Sequence, residues 1–214
     1  MSTTLIFVRH GESEGNKNSR FNGQLNLALS DVGKAQAEKT AEFLDAYNID
    51  AIYSSDLSRA YDTALATSKR QNIPIISSEE IREIYGGKFE GLEYDKIKDL
   101  YPIEHNIWIN DMANCKCPDG ESVKDVYFRV NSKIYDIALD NKDKTVLIVS
   151  HGLPLRIMST VWYKKSLAEI RKFEWMRNAS VTVVNYDDVN NPKVIIYDEY
   201  KHLKNLMTEL PHSI

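Results

Sequence analysis

The chain has 214 residues, 43% hydrophobic and 27% charged, which is the make-up of an ordinary soluble protein large enough to bury a full core, most simply as one domain. A net charge of −4 supplies no overall basic face for nucleic acid, although a local cationic pocket for a small anion is compatible with it. The longest apolar runs are strand-length, which argues against a membrane span, and a strand begins too early for a signal peptide, so a cytoplasmic location is expected.

The first candidate strand is "TLIFV" (4–8), and it runs directly into Arg9, His10 and Gly11. A permanent cation beside an imidazole is an awkward pairing, because the charge and partial burial both push the ring toward its neutral form. Ser30 fits an N-cap, and "DVGKAQAEKTAEFLDAY" after it has helical composition and period. "AIYS" (51–54) and "IPIIS" (73–77) are expected to be strands, with a helix over 57–71 between them. Residues 79–120 have weaker periodicity, several glycines and Trp108, and read as a lid-like insertion over one end of the sheet. Within them Cys115 and Cys117 are too close in sequence for ordinary zinc-site spacing and read as reduced thiols. The clearest helix is expected from about 121 to 140, where Val123, Val126, Val130, Ile134 and Ile137 recur at heptad-like steps. "TVLIVS" (145–150) comes next as a strand, and "SVTVVNY" and "KVIIYDEY" flanking "DDVNNP" read as a β-hairpin at a sheet edge. Alternating strands and helices imply an α/β fold with a mostly parallel sheet.

In open α/β sheets ligands bind beyond the carboxyl ends of the strands, so the residues just past each strand are informative. Arg9 and His10 lie past the first, "SDLSRA" with Arg59 past the second, Glu79, Glu80, Glu83 and Glu90 past the third, and "SHG" with His151 past the fourth. Taken singly, His10 reads as a hydrogen-bonded structural histidine, Arg59 as a solvated helix residue and Glu83 as surface. Jointly they can converge on one crevice, and their joint placement favours function. His105, His202 and His212 sit in polar or terminal contexts and read as structural or incidental.

"RHGESEGN", "SDLSRAYDTA", "REIYGGKFEGL" and "SHG", in this order and spacing, closely resemble the histidine phosphatase superfamily, over essentially the whole chain. The resemblance implies a phosphoglycerate-mutase-like fold in one domain over 1–214: three layers, a mostly parallel six-stranded sheet with helices on both faces, and a C-terminal hairpin edge. It also implies a metal-independent phosphatase mechanism with no cofactor, in which His10 takes the phosphoryl group. Arg9, Arg59 and His151 match the family's phosphate clamp, with Asn16 as a further donor, and Glu83 matches its general acid, with Glu80 one short slip away. Ser13, Asn22 and Gly23 match positions near the family's substrate pocket. Lys88, Arg20, Tyr94 and Trp108 are candidates for the entrance, each with an equally good surface reading.

The superfamily contains phosphatases and mutases. The segment between Gly91 and Pro118 is compact and mixed in charge, without the long basic stretch of the cofactor-dependent phosphoglycerate mutases, which favours a phosphatase of a small phosphorylated metabolite. A cofactor-dependent phosphoglycerate mutase is the alternative, and a low-turnover phosphate-binding regulatory protein a second. The expected partner is the small substrate, with neither nucleic acid nor membrane, and a homodimer stays open.

Overall fold

Unbroken apolar runs mark strands covered on both faces, and the computed structural model, which describes residues 2–208, sets two of them at the centre of one sheet. β1 (Thr4–Arg9) and β4 (Thr145–Ser150) pair in parallel; β2 (Ala51–Ser54) joins β4, and β3 (Ile75–Ser77) forms an edge. On the other side of β1, β5 (Val181–Asn185) runs antiparallel and β6 (Lys193–Glu199) ends the sheet, giving the order β3-β2-β4-β1-β5-β6. The expected three-layer α/β class, with six strands and an antiparallel C-terminal hairpin, is what the chain adopts.

Seven α-helices lie among the described residues: α1 (Glu14–Lys17), α2 (Asp31–Leu44), α3 (Ser58–Gln71), α4 (Tyr94–Leu100), α5 (Pro102–Asn110), α6 (Val123–Asp140) and α7 (Gly152–Trp162). Side chains alternate across a strand, so β1 serves two cores. Leu5 and Phe7 pack with Val130 and Ile134 of α6 and Leu155 of α7, while Ile6 and Val8 pack with Leu44 of α2 and Ala60 and Ala64 of α3. Ser30 caps α2 through the Gly33 N–H, and Ser122 forms a reciprocal capping box with Asp125 at the start of α6.

Two boundaries differ from expectation. α2 ends at Leu44 rather than continuing through Tyr47, whose N–H closes a turn on the Leu44 carbonyl. β3 starts after Pro74, which has no N–H for a ladder, rather than at Ile73. Residues 79–120 fold as short 3-10 turns with α4 and α5, and Ile81, Ile84, Phe89, Ile97, Trp108 and Met112 join the core beneath α6 and α7. The buried thiols of Cys115 and Cys117, not joined in a disulfide, belong to that core. His212 lies outside the described residues; His202 is stacked on Phe43.

Candidate active site

β1 and β4 end side by side because their register pairs Arg9 with Ser150, and this brings His10 next to His151. The two rings meet edge to face with centroids 5.1 Å apart. The turn after His10 presses against the first turn of α2: a Cβ on Gly11 would stand 2.5 Å from the Gly33 carbonyl oxygen, so a side chain there would push the turn away.

The His10 ring is buried, and its Nδ1 lies 2.6 Å from the Gly11 carbonyl oxygen. A carbonyl only accepts, so Nδ1 carries the proton and Nε2 keeps its lone pair. The Arg59 Nε–H donates to that Nε2 at 3.2 Å, which only the unprotonated nitrogen can accept. Burial first, then Arg59 and Arg9, hold the His10 pKa well below the ordinary imidazole value. The awkward adjacency of the sequence therefore has a physical effect: it keeps a nucleophilic nitrogen free of protons. Asn178 fixes the backbone, its Nδ2 donating to the His10 carbonyl at 2.9 Å.

Cations converge on the same point. Arg9 is 5% exposed, with one Nη donating to the Met176 carbonyl and its Nε buried without a partner. Arg59, fully buried on the first turn of α3, donates to the carbonyls of Leu25 and Gly23. Burial pushes its pKa down to about 10, so it remains a cation at neutral pH. Gly23 allows this loop because its φ is +51° and a Cβ would meet the Glu90 carboxylate at 2.2 Å. His151, fully buried at the N-cap of α7, is not among the residues lining the cavity, and neither of its ring nitrogens has a hydrogen-bond partner. Its pKa too lies well below the ordinary value, first through burial and then through Arg59.

Glu83 borders the cavity; Glu80 does not, being exposed and bound to the Ser78 hydroxyl. The Glu83 carboxylate accepts from the Ile84 N–H at 2.8 Å and the Leu153 N–H of α7 at 3.3 Å. Burial nevertheless raises its pKa above the usual carboxylate value, outweighing those bonds and the arginines. Asn16 lines the cavity with its Oδ1 engaged by Ser13, which leaves the Nδ2 donor for a ligand. Asn22 and Gly23 also line it. Ser13 does not: it is fully buried as the cap of α1, accepting from Asn16 N–H and Asn22 Nδ2.

The apolar part of the cavity wall is formed by Phe21, Ile84, Tyr94, Trp108, Leu153 and Trp175. Of the four entrance candidates, Tyr94 and Trp108 are in this wall. Arg20 and Lys88 are not; they turn to Glu93 and Asp119 on the surface. Among the described residues, no group of three or more His, Cys, Asp or Glu is placed to hold a metal ion. No helix among them is long and apolar enough to cross a membrane.

Sequence reasoning missed several groups. Asn178 reads as a bare glycosylation sequon, and Trp175 falls in a stretch without periodicity. Arg129 looks like an ordinary helix cation. It donates to the carbonyls of Glu80, Arg82 and Glu83 and grips Glu121 with two nitrogens, tying α6 to the segment that carries Glu83. No local signal marks these residues, since each acts across a long stretch of sequence.

The family model described as histidine phosphatase superfamily (branch 1) matches residues 5–198. The chain is 34% identical over 187 residues to phosphoserine phosphatase 1 of Hydrogenobacter thermophilus, covering 87% of this chain and 88% of that one. It is 32% identical over 186 residues to a glucosyl-3-phosphoglycerate phosphatase of Mycobacterium tuberculosis, covering 83% of each. The solved structure of Bacillus stearothermophilus YhfR superposes with a TM-score of 0.90 at 29% identity, over 94% of this chain and 100% of that one.

Proposed function

The chain belongs to the histidine phosphatase superfamily, and on that premise we propose that it is a phosphoric monoester hydrolase of small phosphorylated metabolites in which His10 is the nucleophile. The observation that carries the assignment is the His10 ring itself: Nδ1–H is held by the Gly11 carbonyl, and Nε2 lies unprotonated beside two arginines.

In the first step Nε2 attacks phosphorus while the ester P–O bond breaks. The transition state spreads charge over three equatorial oxygens, so fixed cations lower its energy. Arg9, Arg59 and the Asn16 amide surround that position, and an anion there gives the partnerless His151 ring a reason to take up a proton. Arginine suits the role because its planar fork matches phosphate oxygens and stays charged. Glu83, whose raised pKa favours the carboxylic acid, gives its proton to the leaving oxygen. In the second step the Glu83 carboxylate takes a proton from water, the water oxygen attacks phosphorus, and the P–N bond breaks to release phosphate and free His10. Asn22 and Gly23 line the pocket, and Ser13 acts through Asn16 and Asn22 rather than by contact. Residues 79–120 cover the site, contributing Glu83, Tyr94 and Trp108 to its walls.

The test is to quench the enzyme during turnover of a labelled ester and map the phosphate. An acid-labile label on His10, absent in His10→Ala, is expected. A label on His151 or on a serine overturns the assignment.

A further inference from the structure

The cavity lining is of two chemical kinds. Arg9, His10, Asn16, Arg59 and Glu83 are charged or polar, whereas Phe21, Ile84, Tyr94, Trp108, Leu153 and Trp175 are mainly apolar. Trp108 and Trp175 lie nearly parallel, 22° apart with centroids at 6.4 Å.

What the lining lacks among the described residues is a cation beyond the two arginines that face the phosphoryl group. Arg9 and Arg59 are the arginines that line the cavity, no lysine does, and the phosphoryl group claims both of them. Nearby basic groups are turned elsewhere. Arg156 lies against the Trp175 ring at 4.4 Å, with its Nε donating to the Phe173 carbonyl. Arg20 and Lys88 face Glu93 and Asp119. The backbone donor at the N-terminus of α7, the Leu153 N–H, is taken by Glu83. A carboxylate on the substrate's alcohol would thus be stripped of water against indole and phenyl faces, beside the carboxyl of Glu83, with no positive partner. Burying an unpaired charge is far costlier than burying a ring. Aromatic or aliphatic groups, in contrast, gain from stacking on these faces.

Resting on the hydrolase reading above, we propose that the enzyme selects phosphomonoesters whose alcohol is uncharged and presents an apolar or aromatic face, and discriminates against esters whose alcohol carries a carboxylate. The wall residues Trp108 and Tyr94 determine this specificity.

The test compares kcat/KM for 2-phenylethyl phosphate, ethyl phosphate, phosphoserine and 3-phosphoglycerate. All four release alkyl alcohols, so demand for the proton from Glu83 is similar. A hydrophobic pocket discriminates by roughly 10–200-fold for a modest apolar change, so phenylethyl phosphate should exceed each of the other three by about 10-fold or more. In Trp108→Leu that lead over ethyl phosphate should shrink by about 10-fold. The wild-type series decides the matter even where the variant fails to fold. Phosphoserine or 3-phosphoglycerate turned over as well as phenylethyl phosphate would overturn the specificity while leaving the hydrolase intact. Failure to hydrolyse any ester, with no phosphate trapped on His10, would overturn the hydrolase reading and the specificity with it.

Discussion

Replacing Arg129 with methionine keeps the bulk of the stem and removes the guanidinium fork. In the native protein that fork donates to the carbonyls of Glu80 (2.9 Å), Arg82 (2.7 Å) and Glu83 (2.8 Å), and to both Glu121 oxygens at 2.8 and 2.9 Å. A hydrogen bond from a charged donor contributes roughly 1.5–3 kcal/mol. The side chains of Arg129 and Glu121 are still 19% and 23% exposed, so water recovers part of the loss. The expected stability decrease is about 2–4 kcal/mol, lowering Tm by about 4–16 °C in a domain of this size. The larger effect is on chemistry. Releasing the backbone of Glu83 lets its carboxyl drift, and a displacement of about 1 Å costs around 10²-fold in rate. That loss belongs to the proton transfer, so it should show on alkyl phosphates and be only a few-fold on nitrophenyl phosphate, whose leaving group needs little protonation. The assay is kcat on both esters for wild type, Arg129→Met, Glu83→Gln and the double variant, with thermal unfolding measured separately. In the double variant the alkyl-ester loss should be no greater than in Glu83→Gln alone. Equal losses on both esters, multiplying in the double variant, would show that Arg129 merely stabilises the fold.

The raised pKa of Glu83 predicts a carboxyl that titrates above the ordinary carboxylate value, visible by difference infrared against Glu83→Gln. Alkyl-ester turnover should fall as pH rises through the raised pKa of Glu83, because the proton donor is lost, and as pH drops through the lowered pKa of His10, because the nucleophile is protonated; a Glu83 titrating at or below the ordinary carboxylate value contradicts this. Burial holds the His151 pKa low and a bound oxyanion should raise it, so sulfate should bind with uptake of a proton at pH values between the free and the bound pKa of this ring, and bind more tightly as pH falls. Calorimetry in buffers of different ionisation heat measures this, and equal uptake by His151→Asn would refute it.

Where the sequence carries a local period, the structure follows it closely. β2 and β4 occupy 51–54 and 145–150 because apolar runs bounded by polar residues leave little freedom. The strand-end positions of Arg9, His10 and His151 were legible for the same reason, since strand boundaries locate them. Glu83 was preferred to Glu80 through the motif alone, because which of them borders the cavity depends on how a 3-10 turn over Glu79–Ile81 rotates the residues after it. Asn178 and Trp175 were not legible, because their partners His10, Trp108 and Arg156 lie tens of residues away or on another element. Ser13 shows the converse case: the motif places it near the pocket, while packing converts it into the helix cap behind Asn16.

The chain has three tryptophans, and their placement makes the protein its own optical sensor. Trp108 and Trp175 are close enough to exchange excitation and border the volume a ligand fills, with a guanidinium on one face of the second. Trp162 is buried against Phe7, its indole N–H bonded to the Tyr186 hydroxyl, and borders no part of that volume. Ligand entry exchanges water for substrate around two emitters and leaves the third as an internal standard. Unlabelled protein can therefore report occupancy of the cavity by emission wavelength and intensity, including with compounds it never turns over.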